Sequence, residues 1–264
     1  MNIFLHELRA YRKSTLLWTC TLIFIMFIFL SLFPAFTKEA EVTKKLLDGF
    51  PEIIKNALGI SLESFFSLIG FYSFIFSYIV LCGSIQAMNY GLSILSKEVR
   101  DHTVDFLLTK PINRIQIMTL KLLSILASLI ITNIAYFFLA YFMLTLIKSG
   151  SFNFNTYLFI TFTLFIIQLI FFSLGLLISL VLPGIKSVIS ISLATVFGFF
   201  ILDLFNTIID DIILRYFTPY KYFDSIYIMK NISYETPFVI VSILIILSAI
   251  TASYFIYAKK DFLI

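Results

Sequence analysis

Reactive side chains are scarce in this sequence, with two histidines, two cysteines and nine glycines among 264 residues. His6 and His102 stand in no HExxH pattern, helical histidine pair or Cys/His cluster, so no metal site is expected. Cys20 and Cys82 fall inside apolar runs without metal-ligand spacing, which leaves them as packing filler and sets up no disulfide framework. The glycines form no phosphate loop: the nearest fragment, Gly184-Ile185-Lys186-Ser187, has the wrong order and no upstream glycine. The chain is therefore expected to bind no cofactor of its own and to be no enzyme by itself. Charge is scarce as well, at 13% of residues against 60% hydrophobic, and the mean hydropathy is +1.02. Ordinary globular domains hold about 45–50% apolar residues, so a soluble fold is excluded.

What is present is long apolar runs. A bilayer core about 30 Å thick needs roughly 20 apolar residues per helix. Six segments qualify, at about 15–36, 64–92, 116–147, 156–182, 187–209 and 236–257, and they predict one all-α integral membrane domain over residues 1–264. The first run follows a basic stretch as a signal peptide does, but it is too long for an h-region and lacks a small-residue cleavage site, so it reads as a retained helix. An even number of spans puts both termini on one side. With the N-terminus inside, eleven Lys and Arg lie in or beside inner segments and eight on the opposite face, which also carries nine acids from Glu39 to Glu235. That bias predicts cytoplasmic termini in a multi-pass protein of the plasma membrane. The net charge of +4 then reflects topology and not nucleic-acid binding.

Residues 2–13 place Ile3, Phe4, Leu8 and Tyr11 on one helix side, which predicts a segment lying in the interface before the chain turns into the membrane. The loop 37–63 has two short helical periodicities broken by Gly49 and Pro51. Leu182 to Lys186 predicts a tight turn between two spans. The loop 210–235 mixes charges with Tyr216, Phe217, Tyr220, Tyr222, Phe223 and Tyr227; a re-entrant hairpin and a plain aromatic belt both fit. Within the spans, polar side chains are few. Asp203 is the one acid clearly inside a run, and it either lines a pathway or sits near the interface with water or a neighbour. Asn133 and Gln168 are candidates for the same pathway, although such amides, with Gln86 and Asn89, also serve to bond helix to helix. The sparseness of buried acids disfavours an ion-coupled pump and favours greasy or amphipathic cargo.

Between the second and third runs sits a polar island, KEVRDHTVDFLLTKPINR at 97–114. Thr103 is a plausible N-cap with Asp105 in the first turn, while Val104, Leu107 and Leu108 form an i, i+3, i+4 stripe. Pro111 pushes Lys110 out of helical geometry and ends the unit. The island thus predicts a short helix with one greasy edge and a rim of Glu98, Arg100, Asp101, Lys110 and Arg114, shaped to enter a groove on a soluble partner.

The order of Glu98, Thr103, Leu107, Leu108, Pro111, Arg114 and Lys121 in this segment resembles the signature stretch of ABC-2 type permeases. His102 stands where such permeases commonly have Gly, and RYFTPYKYFD at 215–224 is similar to their outer loop before the sixth span. The resemblance implies a type V exporter-like bundle with an amphipathic N-terminal connecting helix. The island becomes a coupling helix in which Glu98, Arg100, Thr103, Asp105, Phe106, Leu107, Leu108, Pro111 and Arg114 contact the ATPase. It further implies two copies of a separate ATP-binding cassette subunit, which hold the ATP and Mg²⁺, and a second permease copy. The cargo would be a toxin or antimicrobial peptide or a lipophilic drug. An ATP-independent transporter or channel, and a non-transporting sensor or immunity subunit, are the alternatives.

Overall fold

In an apolar medium every backbone N–H and C=O must be satisfied inside its own segment, so runs of this length become helices. The computed structural model describes residues 3–38, 65–100, 113–147, 152–182, 187–209 and 211–259, with positions 44, 49, 51, 184 and 185, and of 97–100 the backbone alone. The elements are α1 (Ile3–Lys38), α2 (Leu68–Arg100), α3 (Arg114–Ile147), α4 (Phe154–Val181), α5 (Val188–Ile209), α6 (Ile212–Arg215), a 3₁₀ turn (Pro219–Lys221), α7 (Ser225–Asn231) and α8 (Thr236–Lys259). Six of these helices are long and apolar enough to cross a membrane, and no strand occurs among the described residues. The two helices expected in the loop 37–63 lie outside the described residues.

The centre of the bundle is the α2–α4 pair, with α1 packed on α3 and α2, α8 on α4, and α5 on α2. Lipid tails are as apolar as leucine side chains, so helices associate in a bilayer through close backbone approach. Glycine makes that approach possible here. A Cβ on Gly91 would stand 2.3 Å from the Phe172 carbonyl oxygen and 2.8 Å from the Leu176 nitrogen, and one on Gly175 would stand 2.8 Å from the Met88 carbonyl oxygen. Buried hydroxyls near this seam satisfy themselves on their own helix, as Ser84 does on the Val80 carbonyl at 2.7 Å and Ser173 on Ile170 at 2.8 Å.

One sequence expectation is corrected. The chain does not turn between its first helical residues and the first span; α1 runs unbroken from Ile3 to Lys38. The stretch before Pro34 contains neither glycine nor proline. Thr15 and Thr19 donate back to the Tyr11 and Thr15 carbonyls at 3.0 and 2.7 Å and so keep the helical register. Tertiary contacts then hold the first turns upright: the Tyr11 hydroxyl lies 3.0 Å from Ser93 Oγ, and its ring meets Tyr90 edge-on. At the α4–α5 junction Gly184 adopts φ +64°, a conformation glycine enters without steric cost.

Candidate functional site

Three regions hold the sequence-derived candidates. At the island end, Thr103, Asp105, Phe106, Leu107, Leu108 and Pro111 lie outside the described residues, as do the side chains of Glu98 and Arg100; Arg114 opens α3 and is half-buried. The helices that bear the island are tied together by Lys121. Its side chain is buried, and Nζ donates to the Ile94 carbonyl at 3.2 Å while standing 3.7 Å from Glu7 Oε1. One ammonium thus joins the starts of α1 and α3 to the end of α2.

At mid-bundle, Asn133 and Gln168 do meet. Asn133 Nδ2 donates to Gln168 Oε1 at 2.6 Å, and Gln168 Nε2 donates to Gln86 Oε1 at 3.2 Å. Gln86 Nε2 in turn donates to Thr132 Oγ1 at 3.2 Å, which lies 3.0 Å from Thr19 Oγ1. This chain crosses four helices, α4, α3, α2 and α1. With their amides spent on one another, these residues bond helix to helix. Asn133 also borders an apolar groove of about 360 Å³ between α3 and α4, walled by Phe137, Leu158 and Phe162.

Asp203 lies apart from both amides. Beyond α5 the chain does not float as an aromatic belt but folds back as a helical hairpin. Asp211 caps α6, accepting from the Ile213 N–H at 2.8 Å, and Asp224 caps α7, accepting from Ile226 and Tyr227. The Tyr220 ring packs between Phe171 at 5.3 Å and Phe200 at 6.0 Å. Phe171 lies about 25 Å along α4 from Phe154 at 1.5 Å per residue, so the hairpin dips well into the bundle. Backbone at that depth must be covered: Thr218 and Pro219 are buried, and the turn closes through Lys221 N–H to Thr218 O at 2.9 Å.

A clasp holds the hairpin down. Arg215 reaches Glu235 with both terminal nitrogens, at 3.2 and 2.5 Å, donates from Nε to the Lys221 carbonyl at 3.1 Å, and lies 3.9 Å above the Phe238 ring. The planar fork matches a carboxylate in a way a lysine cannot. Tyr222 stacks on the same Phe238 ring, and burial pushes its phenol up to about 12. Beneath the hairpin lies a polar cleft of about 160 Å³, bounded by α2, α4, α5 and the hairpin, with Asp203, Thr207, Lys221 and Asp224 in its wall. Lys221 Nζ donates to Thr207 Oγ1 at 3.2 Å. Asp203 Oδ1 is buried and makes no hydrogen bond, and the buried Tyr220 hydroxyl lies toward Ser84, whose own Oγ donates to the Val80 carbonyl. Burial drives the Tyr220 phenol far above its ordinary range, with Ser84 easing the shift and Asp203 and Cys82 adding to it.

Sequence reasoning missed Tyr220, Lys221 and Thr207 as companions of Asp203, because the hairpin brings them together only by folding back. It counted Lys121 as an inner positive charge and as the last residue of the island pattern, but gave it no partner. An available signal was its place in the island pattern, seven residues beyond Arg114 and inside an apolar run. Among comparisons with known proteins, the family model described as ABC-2 family transporter protein matches residues 1–262. No curated protein and no solved structure matches.

Proposed function

The chain belongs to the ABC-2 family of transporter proteins, and on that premise we propose that it is the permease subunit of an exporter powered by separate ATP-binding cassette subunits. The observation that carries the proposal is the family match over 1–262 in a sequence with no phosphate loop of its own: a transporter of this family must borrow its motor. Two ATPase copies, each holding ATP and Mg²⁺, engage two permeases. The lipid-facing surfaces of α5 and α8, which expose Ile189, Phe197, Phe205, Ile240 and Leu244, leave room for a second copy of this chain. The island is the coupling helix of a type V exporter-like bundle, with Leu107 and Leu108 seated in the ATPase groove and Glu98, Arg100 and Arg114 at its rim. Termini and island face the cytoplasm of a plasma-membrane protein, and the hairpin faces outward. Hydrophobic or amphipathic cargo, an antimicrobial or toxin peptide or a lipophilic drug, leaves through the bundle.

The test is whether a neighbouring reading frame encodes an ATP-binding cassette protein and whether that protein co-purifies with this chain in mild detergent. Wild-type permease carries the ATPase with it, and Leu107→Asp or Leu108→Asp inserts normally but loses the ATPase and cargo-stimulated hydrolysis. Failure of the wild-type pair to associate overturns the proposal; normal association and export in both variants removes the island as the coupling element.

A further inference from the structure

The cleft beneath the hairpin holds more open hydrogen-bonding capacity than helix packing calls for. Leaving a buried polar group without a partner is unfavourable, more so when it is charged, and here Asp203 Oδ1 lacks one in a residue that, with Tyr220, walls the cavity. The neighbouring charges are already engaged. Asp224 caps α7 through two backbone N–H groups, and Lys221 donates to Thr207. Two carboxylates against one ammonium leave the cleft net negative, and Asp203 is the carboxylate with a buried oxygen that accepts no hydrogen bond. The remaining wall combines the hydroxyls of Ser73 and Thr163 with the rings of Phe76 and Phe223. Aromatic faces attract cations, whereas an anion would meet the net negative charge and a neutral hydroxyl could not offset the carboxylate.

We propose that this cleft recognises a protonated amine of the cargo, which donates to Asp203 Oδ1 and Tyr220 Oη while its alkyl neighbours lie against the aromatic wall. A volume of about 160 Å³ admits a head group and not a whole peptide or drug, so the cargo is an amphiphile with a cationic end. The proposal rests on the transport reading above, but its test does not need the ATPase.

Radiolabelled n-butylammonium serves as the probe, with full-length permease in lipid nanodiscs. Binding is expected to saturate and to resist equal concentrations of butanol and butyrate. Asp203→Asn weakens it about ten-fold or more, and Tyr220→Phe about three-fold, with wild-type melting temperatures. Absence of saturable binding, displacement by butyrate or butanol, sodium competing as well as butylammonium, or unchanged affinity in both variants each overturns the proposal. Should Asp203→Asn fail to fold, Tyr220→Phe decides alone, because it removes one oxygen and keeps the ring packed between Phe171 and Phe200. Amine binding without ATPase association would remove the transport reading and spare the cleft; association without amine binding would do the reverse.

Discussion

At Ile232 the backbone turns out of α7 with φ 51°, a left-handed conformation, and its N–H closes the helix on the Ile228 carbonyl at 2.8 Å. A β-branched residue pays for that geometry in steric strain, about 1–2 kcal/mol relative to glycine, which enters it freely. The side chain is 37% exposed, so most of it is covered and its removal gives up burial comparable to the strain, since covering a whole isoleucine contributes about 1.5–3 kcal/mol. Ile232→Gly is therefore expected to leave stability within about 1 kcal/mol of wild type, read as a near-unchanged midpoint in thermal unfolding of the detergent-solubilised chain, relief of strain offsetting lost packing; a markedly lower midpoint would show that the isoleucine contributes more by packing than it costs in strain. Sequence patterning could not find this position, since nothing in NISYETP announces a left-handed residue other than the asparagine beside it. Asp203 shows the opposite case. Its isolation in an apolar run made it visible at once, but its partners come from residues 17 and 18 positions further on, brought beside it by the hairpin.

At the scale of elements, the α2–α4 seam depends on two glycines whose missing Cβ atoms let backbone lie on backbone. Gly91→Val would drive its side chain into the Phe172 carbonyl, an atom that cannot rotate away, and the two helices would have to part. Overpacking of this kind costs about 1–3 kcal/mol. Gly198, by contrast, has open space around the Cβ position, and Gly198→Ala should be neutral or slightly stabilising, since alanine is the better helix former. Thermal unfolding of the two variants side by side checks both expectations, and equal midpoints would discard the seam as the tight crossing. The helices themselves were legible from run length and apolarity, because a bilayer leaves the backbone no alternative. The unbroken α1 was less so. Its amphipathic first turns look interfacial in isolation, and Ser93, Tyr90 and Lys121 on other helices help to hold them against the bundle.

Across the whole molecule, two ends do different work, and between them the hydrogen-bonded chain from Thr19 through Gln86 to Asn133 crosses the bundle. At one end Lys121 gathers α1, α2 and α3 around the base of the island; at the other the Arg215–Glu235 clasp seats the hairpin over the cleft. Arg215→Lys loses the two-pronged carboxylate contact and is expected to lower stability by about 1–2 kcal/mol while leaving ATPase co-purification at the wild-type level; loss of co-purification would mean that the hairpin and the island are not separate units. The sequence by itself determined that the chain carries six apolar runs of membrane-crossing length and no phosphate-loop motif, since run length, apolarity and motif order are local properties that solvent and chemistry fix residue by residue. It also carried the resemblance that the family match bears out. Only the tertiary structure decided that Asn133 and Gln168 are spent on each other, that the loop 211–235 folds back as a hairpin, and that Asp203 opens into a polar cleft. Each of those depends on which distant side chains arrive within hydrogen-bonding reach, and that distance is set by the packing of whole helices, not by the spacing of residues along the chain.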